Sequence, residues 1–506
     1  MRCRTASIAS FVLAGILSSS PATAGAQLSP DEFFDFNIDA DTGYALIVER
    51  NYWHIDAEAA FRIWYFATMF DGPVNLDVET WDVRTEDWDE ARDYMRIFPC
   101  TRFDWSDQGF LAAPGDCSER EPEDEEWMAS ARLAPIEDLS LGHGHILTGY
   151  STFLDVDHYT LGVAGEFQLG RWAGGDLLLG DVTRPDLLGG RLFVRPVRAE
   201  TERSLHELEI GLTAVADLGA PTEAVTALGG ARLLDASGNL LFDTGELVAF
   251  GADLDYRMNV GGEHFLGARG DWGFLWDTGR PASRQTANQG GHLAVGYLWE
   301  PAQIPVTLDF YGEYRMLGSS YIPSYFDDYY AVQREQYALT PNQRTTVDPT
   351  LTKLGYLRTL EDQPATFEHS YAAILHVDVW RDCPDALLCN EGQWVRFLRF
   401  YAFIDQIVGR PNSGSLGFVA LAPDIPLGGE MFLSLLGAYI RRGFNDGGDM
   451  FALDGTLLQF LARLDIWGGL YVLATYDHLW RLDPDTGYFE GVSSFLATFG
   501  FTEDLF

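Results

Sequence analysis

Runs of about ten residues, alternating between apolar and polar, recur along this chain and constrain its fold more than any other feature. Leu208, Ile210, Leu212, Ala214 and Ala216 alternate with Glu207, Glu209, Thr213 and Asp217. Val248, Phe250, Ala252, Leu254 and Tyr256 alternate with Asp253, Asp255 and Arg257. Val306, Leu308, Phe310, Tyr314 and Met316 alternate with Thr307, Asp309, Glu313 and Arg315. The pattern returns at Tyr159–Gln168, Phe367–Val379 and Leu458–Ile466, and Arg463 and Asp465 fall on the polar parity of the last. Arg191 and Arg195 flank Leu192 and Val194 in the same way. In the final stretch Phe489, Phe495, Phe499 and Phe501 share one parity, while Ser494, Thr498, Gly500 and Thr502 take the other. A period of two belongs to a strand with two unlike faces.

A tilted strand of about ten residues is long enough to cross a bilayer, whereas soluble strands are typically about five or six. An Arg or Lys facing lipid at mid-depth costs about 2–4 kcal/mol. The alternation therefore sends Glu207, Glu209, Asp217, Asp253, Asp255, Arg257, Asp309, Glu313, Arg315, Arg463, Asp465, Arg191 and Arg195 to a shared interior. Within lipid every backbone N–H and C=O needs an internal partner, so strands span only as a closed sheet. The expected fold is all-β: a transmembrane, antiparallel, up-and-down β-barrel of about 16 strands, within roughly 14–18. An aromatic content of 14% and 52 Gly suit strands, tight turns and aromatic girdles. No stretch is apolar over about 18 residues, so helical spans are not expected.

Less regular strand candidates include Ala60–Met69 and His145–Leu154. Two long polar insertions, Trp81–Met128 and Gly318–Gln363, interrupt the pattern, and the first is acidic. They are expected as long acidic outer loops, or folded into the lumen.

The first 26 residues read as a secretory signal. Arg2 and Arg4 precede a short apolar core, Ala6–Leu17, and Ala22-Thr23-Ala24 and Ala24-Gly25-Ala26 offer small-x-small cleavage sites. The barrel then occupies 27–506. In an oxidising compartment, the remaining cysteines are expected as two local disulfides, Cys100–Cys117 and Cys383–Cys389.

The signal, the repeated strands and the closing aromatic strand that ends on Phe506 together resemble bacterial outer-membrane β-barrels. Leu141-Gly142-His143-Gly144-His145 and Gly189–Pro196 look like pieces of uncharacterised outer-membrane proteins of Gram-negative bacteria. The resemblance covers nearly the whole chain. It implies a location in that outer membrane, with outer-membrane lipid as the surrounding partner. It carries no site residues.

The chain carries 75 acidic against 34 basic residues, a net charge of −41. That excludes nucleic acid as a partner, because neutralising phosphates requires Lys and Arg. The inward charges allow two states of the lumen. One is a wet channel whose walls tune selectivity; the other is a packed network of ion pairs that fills the barrel. The inward set holds more acids than bases. The first functional reading is a porin-like channel for small solutes or ions, cation-leaning. The alternative is a non-conducting barrel that serves surface binding, scaffolding or an unrecognised enzymatic role through its long loops. No nucleophile elbow, HExxH helix, P-loop or dinucleotide-binding glycine pattern is present, so no catalytic residue is assigned and the chain reads as a non-enzyme. His376 with Asp378, and His478 beside Asp477, are bare candidates at most. His143 and His145, two apart, can share one face and offer a metal two imidazoles. Asp39-Ala40-Asp41-Thr42-Gly43 and Asp483-Pro484-Asp485-Thr486-Gly487 spell a possible start of a calcium loop, or simply Asp-Gly turns. No other cofactor is expected, and the oligomeric state is left open.

Overall fold

The computed structural model describes residues 34–504 except 64–65, 90–92, 107–126, 156–158, 202–203, 228–231, 235–239, 302–304, 383–393, 429–430, 446 and 484. The alternating runs become long antiparallel strands. The first quarter of the chain forms β1 (Phe34–Ile47), β2 (Arg50–Ile63), β3 (Phe66–Asp71), β4 (Val74–Asp77), β5 (Cys100–Ser106) and β6 (Trp127–Ala134). Then come β7 (Gly162–Leu169), β8 (Ala173–Leu179), β9 (Leu187–Thr201), β10 (Ser204–Ala224), β11 (Phe242–Gly261), β12 (His264–Asp277), β13 (Gln289–Trp299) and β14 (Val306–Gly318). The last set is β15 (Phe367–Asp382), β16 (Trp394–Ile407), β17 (Gly414–Gly428), β18 (Met431–Phe444), β19 (Thr456–Trp467), β20 (Leu470–Asp483) and β21 (Tyr488–Asp504).

Setting β4 aside, each strand pairs with the next along the chain, and β21 pairs with β1 in the register Phe499↔Thr42 and Phe495↔Leu46. The ring thus closes and leaves no edge. It contains 20 strands rather than the expected 16 or so. The short β4 pairs only with β2, as a continuation of β3 beyond the break at Gly72-Pro73. Proline lacks the N–H that a ladder requires, which accounts for the break.

The extra strands arise where the period of two is weak. β5 lies inside the stretch expected as the Trp81–Met128 insertion, and β6 begins at its end. β17 holds Pro423 and Pro426, and β12 interrupts its pattern with three glycines. Ala60–Met69 is not one strand but the end of β2 and most of β3. His145–Leu154 is not a strand at all.

One parity of the ring faces outward and is apolar: Leu192, Leu212 and Leu293 are each 60–65% exposed. Trp272, Trp276, Phe250 and Tyr371 stand on the same surface. An exposed apolar belt around a closed sheet is what a hydrocarbon solvent demands. Among the described residues no helix is long and apolar enough to cross a membrane.

The two ends of the ring differ. Connections 262–263 and 468–469 are two-residue links at one end. Segments 135–161, 225–241, 278–288 and 319–366 leave from the other. Barrels of this kind keep their short turns on the periplasmic side and their long loops outside. The proposed signal at 1–26 lies outside the described residues, as do Cys117, Cys383 and Cys389; Cys100 opens β5 and is buried.

Candidate functional site

Two of the long connections fill the interior instead of standing above it. Segment 319–366 contains three short helices: α1 (Tyr330–Gln333), α2 (Pro341–Thr346) and α3 (Lys353–Glu361). Local chemistry sets their starts. Thr340 and Gln343 form a reciprocal capping box at α2, and the Thr352 hydroxyl accepts from Gly355 N–H at α3. Segment 135–161 runs beside them: Phe326 N–H donates to the Ile146 carbonyl at 3.1 Å, and Thr148 N–H to the Phe326 carbonyl at 3.0 Å. Leu141, Ile146, Leu147, Tyr321, Tyr325, Phe326 and Leu357 are essentially inaccessible to solvent. They pack in one core with the wall residues Val215, Leu247, Ala249, Leu275 and Leu317.

The attachment points fall on five strands between β10 and β21. On β10, Asp217 accepts from Tyr330 Oη at 2.6 Å and from Arg334 Nε at 2.7 Å. On β12, Asp277 accepts from Arg358 Nε at 2.6 Å. On β18, Arg442 meets Asp328 at 2.7 Å, and the Ile440 carbonyl accepts from Tyr329 Oη at 2.5 Å. On β20, Trp480 N–H donates to the Leu154 carbonyl, and its ring stacks edge-on against Tyr329 at 4.8 Å. On β21, Phe489 N–H donates to Gln336 Oε1 at 2.9 Å. Gly251, Gly273 and Gly290 lie in register across β11, β12 and β13. A side chain at Gly251 or Gly273 would collide with His145, and one at Gly273 or Gly290 with Tyr321, so these glycines admit the inserted segments to the wall.

The charges assigned inward from the sequence form paired networks. Arg191 meets Asp253 and lies 2.6 Å from Glu209; Arg195 lies 2.8 Å from Glu209 and 3.2 Å from Glu207. Arg315 meets Glu313 at 2.5 Å and Asp405 at 3.3 Å, and His292 meets Glu313 at 2.9 Å. Arg463 lies 3.1 Å from Asp465. Asp255 meets Arg269 at 3.1 Å, while Arg257 and Asp309 lie nearby. Toward the short-turn end the walls are wetter: the side chains of Arg195, Glu207, Arg269 and His376 keep 18–35% exposure. Asp217 and Asp277, nearer the long-loop end, keep none.

His143 and His145 take different roles. His143 Nδ1 lies 2.7 Å from Asp271, and its Nε2 lies 3.2 Å from Asp255. Burial disfavours the charged ring, but the two carboxylates outweigh it and lift its pKa to about 9. Burial drives His145 down to about 4 despite Asp271 at 3.7 Å. With both His143 nitrogens engaged by carboxylates, the pair does not present two lone pairs to one metal. Among the described residues, no three His, Cys, Asp or Glu side chains converge on a metal position. Asp39–Gly43 lies within β1, where Asp39 accepts from Tyr471 at 2.7 Å and Thr502 at 2.7 Å. The second such stretch is the β20–β21 turn, where Asp483 accepts from Asp485 N–H and the Thr486 hydroxyl.

Sequence reasoning missed Asp271, Asp277, Asp405, Arg269, Arg334, Arg358 and Arg442. The first four sit on strands whose pattern glycines or bulky aromatics obscure. Arg334 and Arg358 sit in the insertion, whose dense tyrosines between Tyr321 and Tyr337 were the available sign of a buried segment.

No protein-family model matches the sequence, and no curated protein matches it. Solved structures do. OmpT, an outer membrane protein of Vibrio cholerae, matches in a loop L8 deletion form with 8% identity and a TM-score of 0.32, over 93% of this chain and 99% of that one. A porin matches with 10% identity and a TM-score of 0.28, over 93% and 100%. The FrpB iron transporter from Neisseria meningitidis matches with 8% identity and a TM-score of 0.36, over 93% and 82%.

Proposed function

We propose that this bacterial outer-membrane β-barrel is a restricted, porin-like passage of the Gram-negative cell envelope. Its own inserted segments bar bulky solutes and leave a narrow, cation-leaning path for small ions along the charged walls. The observation that carries this reading is the attachment of segments 135–161 and 319–366 to β10, β12, β18, β20 and β21. A core packed at ordinary protein density leaves no wide water-filled tube through the middle of the barrel. The wetter, charged wall toward the short-turn end supports an aqueous vestibule there. Carboxylates outnumber guanidinium groups in the inward set, which favours cations. The reading assigns the barrel no reaction.

The test is single-channel recording of the refolded chain in a planar bilayer, beside an open 16-stranded porin in the same lipid. The expected result is steps roughly tenfold smaller than the open porin's, with a cation-directed reversal potential in a KCl gradient. Porin-sized steps or anion selectivity would overturn it. Silence after verified insertion would favour the non-conducting alternative and sink the passage.

A further inference from the structure

A cavity of about 70 Å³ lies on the inner wall between β5, β6, β7 and β8, beneath Leu139 and Ser140 of the first inserted segment. That volume has room for about five waters. Arg102, Ser130, Arg132, Glu166 and Asp176 line it. Register sorts these charges. Arg102 is paired with Arg132 across β5 and β6. Glu166 is paired with Asp176 across β7 and β8. Ser130 stands opposite Glu166 and donates to it at 2.9 Å. Arg132 stands opposite Ala164, so the guanidinium pair and the carboxylate pair occupy rows two residues apart. The backbone positions of Arg132 and Glu166 are thus separated diagonally by about 8 Å.

Like charges directly opposite on neighbouring strands destabilise a sheet. Here the arrangement occurs twice, with opposite sign, in neighbouring rows of the wall that lines one cavity. We infer that this cavity is a binding site for a small zwitterion of the α-amino-acid type, with its carboxylate toward Arg102 and Arg132 and its ammonium toward Glu166 and Asp176. Each of these four side chains also has contacts within the protein, so the pocket is balanced as it stands. Two guanidinium groups against two carboxylates leave no net charge. A simple anion or cation would upset that balance, and a zwitterion does not. It can also replace the waters' hydrogen bonds to both rows. Arg102 is almost wholly buried, which strengthens its hydrogen bonds to a charged group. Ser140 lines the cavity and is itself exposed. The inference is independent of how ions pass the barrel.

Isothermal titration of the refolded, full-length barrel in detergent tests it, with glycine, acetate and ethylammonium as probes. Glycine is expected to bind at least about tenfold more tightly than either singly charged probe. Arg132→Gln should weaken glycine and acetate together. Glu166→Gln should weaken glycine and ethylammonium but spare acetate. Heat-modifiable gel migration identifies the variants that have folded. An undetectable glycine signal with folded protein overturns the assignment, and so does glycine binding no tighter than acetate. Conductance is recorded separately in bilayers, so a failed titration leaves the passage reading intact.

Discussion

His143 ties the first inserted segment to β11 and β12, and its ion pairs make the docking of that segment depend on pH. Its pKa of about 9 in the fold lies above its ordinary value of 6.5. A base whose folded pKa is raised contributes stability that is complete below 6.5 and is lost as pH rises through about 9. At about 1.4 kcal/mol per pH unit, that interval is worth about 3 kcal/mol. The side chain is only 12% exposed, so solvent screening takes little of it. The groups facing it are Asp255 and Asp271, which favour the charged ring, with Arg269 opposing. His145 works in the other direction. Its folded value of about 4 means its contribution is present above 6.5 and is lost as pH falls toward 4. Docking should therefore be strongest near pH 6.5. The assay is thermal unfolding of the refolded barrel in detergent, followed by near-ultraviolet circular dichroism of the buried tyrosines. The wild type should lose stability between pH 6.5 and 9.5. His143→Gln should be less stable at pH 6.5 by about 2–3 kcal/mol and nearly flat over the same range. Matching alkaline limbs for the two proteins would refute the reasoning.

Two further outcomes follow from the same contacts. Arg334→Met strips the fully buried Asp217 of its cation and leaves it with Tyr330 Oη and the Gly219 N–H; the expected loss is about 3–5 kcal/mol, with Arg334→Lys restoring part of it, read from thermal melts. Leu212→Arg places a charge on the outward apolar belt, and should cost about 2–4 kcal/mol if the site lies at mid-depth, read as a lower folded fraction in vesicles across a urea series.

Much of the wall was legible in the residues, because a period of two is a local property of a strand that divides lipid from a polar interior. Leu208 to Ala216 and Val248 to Tyr256 announce β10 and β11 without any knowledge of their neighbours. Where the period weakens, the reading fails. Gly267, Gly270 and Gly273 in β12 have no side chain to display a face, and Pro423 and Pro426 do the same for β17. The count of 20 strands was therefore out of reach, since it depends on which weak segments the ladder recruits once its neighbours are in place.

The amino-acid order by itself determined the alternation, and with it a membrane-spanning β-barrel with Asp253, Glu209 and Arg191 on the inward parity. It left open whether those charges line water or pair with one another. The tertiary structure alone decided that Arg191 meets both Asp253 and Glu209, and that 135–161 and 319–366 pass inside the ring instead of above it. The reason is range. Facing lipid or lumen is set by a residue and its next-nearest neighbours, but Asp217 and Arg334 are 117 positions apart, and their meeting depends on the closure of the whole ring.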